Sequence, residues 1–191
     1  MSTTDFFLRY AREDDAPALL DIYTPYVVGT SVTFEYEPPT VDEFAGRIRE
    51  FSAVYPYIVC VGSDGLTGYA YAHRFQSRAA YQWGVECSIY IRQDHTRAGL
   101  GRLLYSELLR VLTAQNVRMA YSAISTPNEP SERLHLELGF TEVGRWRDTG
   151  YKLGGWHDVV WYEKPLNPLT TPPPPIIPVG LLPEEIRALR W

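Results

Sequence analysis

Ser88-Ile89-Tyr90-Ile91, then a loop holding Thr96-Arg97-Ala98-Gly99-Leu100-Gly101-Arg102, then Leu103, Leu104, Leu108, Val111 and Leu112 at helical spacing: this stretch decides how the chain folds. It is a strand, a glycine-containing loop and a helix in direct succession. The start of a helix presents several backbone N–H groups without partners and the positive end of the helix dipole, so an anion is held there at little cost. Two familiar phosphate loops do not fit. A P-loop needs Lys followed by Ser or Thr after its second glycine, and a dinucleotide fingerprint needs a third glycine, whereas this loop continues Arg102-Leu103. Two readings stay open for the glycine pair by itself. One is an ordinary turn; the other is a cradle that grips a pyrophosphate through amides, with Arg97 and Arg102 as charge partners.

Outward from this loop the pattern is mixed α/β. Upstream, Phe6 to Tyr10 has strand character, and Asp14 or Asp15 opens a helix whose Leu19, Leu20, Tyr23, Tyr26 and Val27 share a face. Thr40 and Glu43 have capping-box spacing, which starts a second helix near Val41. Tyr57 to Val61 and Leu66 to Ala72 flank the turn Ser63-Asp64-Gly65 and form a hairpin, and Val85 to Ile91 is the next strand. Downstream come a strand from Met119 to Ile124, a short helix from Ser131 to Leu138, and strands at Val143 to Trp146 and Val159 to Tyr162. Residues 1–166 form one domain on this reading. Residues 167–191, rich in proline, form an extended surface arm.

The composition narrows the function. The 191 residues suit a single core, and 45% apolar content excludes a disordered chain. A formal charge of −5 disfavours a phosphate-backbone footprint, so nucleic acid is not an expected partner. Cys60 and Cys87 sit in apolar runs and suggest neither a disulfide framework nor a zinc site. No metal is expected. No stretch approaches a membrane span, which makes the expected location cytoplasmic.

The loop resembles the pyrophosphate loop of the GNAT N-acetyltransferase superfamily, which reads Gln or Arg, two residues, Gly, one residue, Gly or Ala. Further segments resemble the phosphinothricin acetyltransferase family: Tyr55-Pro56, Gly68-Tyr69-Ala70-Tyr71-Ala72, Arg78-Ala79-Ala80-Tyr81, Glu86, Pro127-Asn128-Glu129-Pro130-Ser131, His135-Leu136-Glu137-Leu138-Gly139-Phe140 and Trp156-His157-Asp158-Val159. The resemblance runs from about Leu8 to the proline-rich tail. It implies the GNAT fold: a mixed, mostly antiparallel central sheet, splayed at the strand that receives acetyl-CoA, with helices on both faces. It also implies acetyl-CoA as cosubstrate, a small-molecule amine as acceptor, and a homodimer. Ile89, Tyr90 and Ile91 would pair with the pantetheine arm, Thr96, Arg97, Ala98, Gly99, Leu100, Gly101 and Arg102 would wrap the pyrophosphate, and Asn128 and Ser131 would meet the cofactor from the next loop. Thr96 stands where the family has Gln or Arg, which leaves the backbone cradle with one side-chain contact fewer.

Acyl transfer to an amine needs the neutral amine, so a base must remove a proton. The family's base falls on Glu86, in an otherwise apolar strand where burial raises a carboxyl pKa. Read from its residues alone, Glu86 is more readily a solvated or salt-bridged strand carboxylate, since Glu is common on polar strand faces. His135, four residues before Gly139, stands where many superfamily members place a Tyr that protonates the departing thiolate; an imidazole could donate that proton or orient a water. Ser122 and Ser125 carry no triad pattern, so direct transfer is expected. By resemblance the acceptor pocket is walled by Phe34 and Glu35 and by Arg78 and Tyr81, with Arg78 clamping a carboxylate or phosphinate. Gln76 stands where relatives often carry a basic residue. An acetyltransferase of another amine, such as a peptide N-terminus, a polyamine or an aminoglycoside, and a non-catalytic acetyl-CoA binder are the competing readings. Arg78 argues against a cationic acceptor, and Glu86 with His135 against a binder.

Overall fold

The computed structural model describes residues 6–96 and 99–190. One seven-stranded sheet organises them, in the order β1-β2-β3-β4-β5-β7-β6: β1 (Phe7–Tyr10), β2 (Tyr57–Gly62), β3 (Gly65–Arg74), β4 (Gly84–Ile91), β5 (Met119–Thr126), β6 (Thr141–Lys152) and β7 (Gly155–Pro165). Every neighbouring pair is antiparallel except β4 with β5. That one parallel step needs a crossover, and α3 (Leu100–Ala114) supplies it.

Helices cover both faces because strand side chains alternate. On one face α1 (Ala16–Gly29) and α2 (Val41–Ser52) bury Leu19, Ile22, Val27, Phe44 and Ile48 against Tyr57, Val59 and Tyr69. On the other, α3 buries Leu104, Leu108 and Leu112 against Ile58, Cys60, Ala70, Ala72, Val85 and Cys87. The same face carries α4 (Glu129–Glu137). The Thr40–Glu43 capping box closes in both directions: Thr40 N donates to Glu43 Oε2 at 2.7 Å and Glu43 N to Thr40 Oγ1 at 3.3 Å.

The late strands are far longer than Val143 to Trp146 and Val159 to Tyr162. They make a hairpin closed by Leu153 (φ 51°) and Gly154 (φ 80°), the two left-handed residues that a type I′ turn demands. Beyond β7 the chain runs over α3 as a strap. Gln115 Nε2 donates to the carbonyls of Val54 and Ile177, each at 2.7 Å, Arg110 Nη1 donates to Ile186 O at 2.9 Å, and Val179 and Leu182 pack on Val111. No helix among the described residues is long and apolar enough to cross a membrane.

Candidate active site

Strands β4 and β5 pair over only three positions, Gly84 with Met119, Val85 with Ala120 and Glu86 with Tyr121, and then part. The gap holds a cavity of about 50 Å³ between Cys87–Tyr90 on one strand and Ser122–Ser125 on the other, closed by Val32, Asn128, Ser131 and His135. A larger cavity of about 380 Å³ adjoins it, sharing Val32, Ile89, Asn128 and Ser131, and extends along Ile91 and Thr96 to the start of α3. The carbonyls of Cys87 and Ile91 point into the gap, where the Ser122 and Tyr26 hydroxyls donate to them at 3.1 and 2.5 Å. By the two-residue alternation of a strand, the N–H and C=O of Ile89 between them face the same way.

At the far end, Gly99 caps α3 with φ +78° and no side-chain cap. Its glycine is required by that left-handed backbone, since an added Cβ would meet nothing within 4 Å. The N–H groups of Leu100, Gly101 and Arg102 have no acceptor within the helix, and these residues line the larger cavity. Gly101 serves another purpose: a Cβ there would meet Leu134 Cδ2 at 3.3 Å, so its absence lets α4 pack close. Arg102 donates to Glu137 Oε2 at 2.6 Å, spanning α3 and α4, and Thr96 Oγ1 donates to Gln93 O at 3.1 Å. Arg97 and Ala98 lie outside the described residues. Asn128 caps α4, its Oδ1 accepting from Ser131 N at 3.4 Å.

Glu86 is the last paired residue before the gap, and burial raises its carboxyl pKa, with His73 opposite it on β3 pulling the other way. His135 lies buried on the other side of the sheet. Its Nδ1 is 2.7 Å from Ser131 O, a contact that requires the ring proton on Nδ1. Nε2 is therefore an acceptor, 3.0 Å from both Tyr105 Oη and Ser122 Oγ, which are 2.6 Å from each other. Burial lowers the imidazole pKa, so the ring rests neutral. Ser125 Oγ, in the wall of the small cavity, is buried and meets no partner among the described residues.

Residues 8–161 match the family described as Acetyltransferase (GNAT) domain. The chain belongs to the GNAT acetyltransferase family. It is 38% identical over 172 residues to the phosphinothricin N-acetyltransferase of Streptomyces viridochromogenes, covering 90% of this chain and 93% of that one. It is 30% identical over 171 residues to an L-methionine sulfoximine/L-methionine sulfone acetyltransferase of Pseudomonas paraeruginosa, covering 87% and 98%. The crystal structure of a phosphinothricin acetyltransferase from Sinorhizobium meliloti, in complex with acetyl-CoA, superposes with a TM-score of 0.81 at 35% identity, over 84% of this chain and 88% of that one. This GNAT protein is an acetyl-CoA-dependent N-acetyltransferase. Its groove suits that cosubstrate: free backbone groups at Ile89, an orphaned hydroxyl at Ser125 and an uncapped helix start answer a molecule of amides and phosphates.

The four acceptor-wall residues of the GNAT protein line neither cavity. Phe34 packs over Gly150 and 6.4 Å from His157, while Glu35 pairs with Arg47 at 2.7 Å. Arg78 and Tyr81 stand exposed in the loop before β4. Sequence reasoning weighed Ser122 only as a nucleophile and passed over Tyr105: Ser122 lines the small cavity, and Tyr105, hidden in the apolar stripe of α3, backs it through Ser122 and His135. A buried Tyr hydroxyl needs a polar partner, and that is the signal that could have found them.

Proposed function

We propose that this acetyltransferase transfers the acetyl group directly to the amino group of a small amino acid or analogue of the phosphinothricin, methionine sulfoximine or methionine sulfone type. The observation that carries the reading is Glu86: a carboxyl with a raised pKa at the point where β4 and β5 part. The names of the relatives supply the acceptor class. Bound acetyl-CoA would supply a thioester whose carbonyl carbon the neutral amine attacks; the C–S bond breaks, and the second proton shed by the nitrogen goes to the CoA sulfur, which leaves as the thiol. Glu86 takes the proton that the acceptor's ammonium must lose, directly or through water. The backbone of Ile89 to Ile91, Tyr90 included, aligns the pantetheine arm. Thr96, the described amides of Gly99 to Arg102, Asn128 and Ser131 hold the rest. His135 acts by orientation: Nε2 accepts from the Tyr105 hydroxyl, while Ser122, 3.0 Å from the same nitrogen, donates to Cys87 O and presents that network to the cavity. Arg78 clamps the acceptor's acid group, beside Tyr81, Phe34 and Glu35.

The same proposal includes a homodimer. Val143, Trp146, Tyr151 and Trp156 on the β6–β7 hairpin are about half exposed or more, and of the acceptor-wall residues Arg78 and Tyr81 lie open on a single chain. It assigns residues 1–166 to catalysis and 167–191 to the strap. It also places the enzyme in the cytoplasm, in keeping with the free, buried thiols of Cys60 and Cys87.

The test mixes purified protein with acetyl-CoA and an amine panel: L-phosphinothricin, L-methionine sulfoximine, L-methionine sulfone, spermidine, an aminoglycoside and a free peptide N-terminus. Thiol release is followed. Turnover concentrated in the first three supports the reading, and turnover confined to the others overturns it. Light scattering that finds only monomer refutes the dimer.

A further inference from the structure

Between α1 and α2 the chain crosses residues 30–40 without helix or strand, and one residue of that loop, Val32, lines both active-site cavities. A loop keeps such a side chain in place only where other contacts hold the loop. Part of the hold is local. Thr30 Oγ1 donates to Tyr26 O at 2.7 Å and accepts from Val32 N at 3.2 Å, the Thr33 and Tyr23 hydroxyls are 2.7 Å apart, and Glu35 N donates to Thr33 Oγ1 at 3.4 Å.

The rest comes from the end of β6. Side chains alternate there: Gly150 and Lys152 are buried, and Tyr151 between them is 49% exposed. Lys152, only 3% exposed, donates from Nζ to Thr33 O at 2.6 Å, across 119 residues of chain. Gly150 meets the next residue of the loop. A Cβ on it would lie 2.2 Å from Cε2 and Cζ of Phe34, so the ring fills the space that a side chain would need. The Tyr36 hydroxyl donates to Tyr151 O. The hairpin that makes these contacts is itself braced, with Gly150 paired to His157, whose Nε2 is 2.9 Å from Lys152 O. Burying an ammonium is costly, and an apolar chain of the same reach would avoid that cost. What the ammonium adds is a fixed position for the carbonyl it grips.

We propose that Lys152 and Gly150 are positioning residues for the acceptor amine: gripping Thr33 O and seating the Phe34 ring, they set where the loop places Val32 and hence how tightly the acceptor is held. The inference rests on the acceptor wall proposed above. Acetyl-CoA is held chiefly by β4 and the start of α3, whereas this loop carries Val32 together with Phe34 and Glu35, so a displaced loop falls on the acceptor.

Lys152→Met, Gly150→Ala, Phe34→Ala and the double variant Gly150→Ala with Phe34→Ala, all in the full-length protein, test this. Initial rates are measured with L-methionine sulfone and L-phosphinothricin varied at saturating acetyl-CoA, then with acetyl-CoA varied. Lys152→Met should raise the acceptor KM about tenfold, as the loss of one hydrogen bond to a charged group implies, and leave the acetyl-CoA KM near the parent's. Gly150→Ala, which must push the ring aside, should raise the acceptor KM several-fold in the parent and have no effect once Phe34 is alanine. Hydrogen exchange needs no acceptor: the amides of residues 31–36 should exchange faster in Lys152→Met. The proposal is overturned if both single β6 variants keep the parent's acceptor KM, if the acetyl-CoA KM rises as far as the acceptor's, if Gly150→Ala acts equally with Phe34 absent, or if exchange of the loop is unchanged. Should the parent turn over spermidine and neither amino acid, the proposed acceptor class falls, and the same comparison made on spermidine decides the role of the loop.

Discussion

Gly99→Ala and Gly101→Ala, two substitutions two residues apart, should act in opposite directions. At Gly99 the backbone is left-handed, φ +78°, and the new methyl would meet nothing within 4 Å. The whole cost is conformational, about 1–2 kcal/mol for an L-residue in that region. In a domain of this length it corresponds to a fall in Tm of roughly 2–8 °C. Should the loop relax to avoid the strain, the amides at the start of α3 would turn from the groove and the loss would reappear as a higher KM for acetyl-CoA. At Gly101 the conformation is helical, so alanine gains up to about 1 kcal/mol in helix propensity. Against that stands one methyl contact, Leu134 Cδ2 at 3.3 Å, which a shift of a few tenths of an ångström relieves. The added methyl points at Leu134 and, at 3.9 Å, at Ile89 Cδ1, so acetyl-CoA affinity should hold. Urea unfolding with equal m-values, paired with acetyl-CoA saturation curves, separates the cases. If Gly101→Ala costs as much as Gly99→Ala, or if Gly99→Ala matches the parent in both stability and KM, the account of this helix start is wrong.

Glu86→Gln should lower kcat/KM by about 10²–10⁴ and abolish the acid limb of its pH profile, a limb that in the parent lies above the ordinary Glu range. Stability should move the other way. A carboxyl whose pKa is raised by folding penalises the native state once ionised, so the variant should match the parent in acid and become the more stable of the two as pH rises through that pKa, read by urea midpoints across pH. His135→Gln should cut kcat and cost about 1–3 kcal/mol, because the Ser131 carbonyl loses the ring N–H 2.7 Å away and a buried amide takes the place of the imidazole. Because folding depresses the imidazole pKa, the unfolded chain takes up the proton first on acidification; the parent should therefore lose stability faster than this variant as pH falls through and below the usual histidine value. Leu182→Ala, on the inner side of the strap where it packs on Val111, should lower the urea midpoint by the equivalent of about 2–4 kcal/mol and leave acetylation at 25 °C unchanged.

The parts of the fold that announce themselves in the sequence are those built from local chemistry. Thr40 and Glu43 declare a helix start, Ser63-Asp64-Gly65 a hairpin turn, and the leucines after Gly99 the helix that covers the sheet. The β6–β7 hairpin hides because its turn uses Leu153, a residue without turn chemistry, at φ 51°. It also hides because β6 is exposed along most of its length and its register slips between Trp146 and Gly150, around Asp148 at φ 47°, so no clean alternation survives. The site divides in the same way. The glycine loop stands out by type and spacing, whereas Glu86 and His135 are picked out by the family resemblance. The Tyr105–Ser122–His135 cluster is shown by neither, since it joins a helix, a strand and another helix that only tertiary packing brings within 3.0 Å. Arg102 was legible as a cation beside the loop, but not its pairing with Glu137, 35 residues on.

Because β4 and β5 separate after three paired residues, the molecule carries two strand edges turned toward each other inside its own sheet. Exposed edges ordinarily invite another chain to add a strand and are a hazard for aggregation. Here the two edges face each other across a cavity of about 50 Å³, with Val32, Asn128, Ser131 and His135 around it, so neither edge lies bare at the rim of the sheet. What would be a sticky margin on an open sheet is turned inward, toward a space bounded by the chain's own residues.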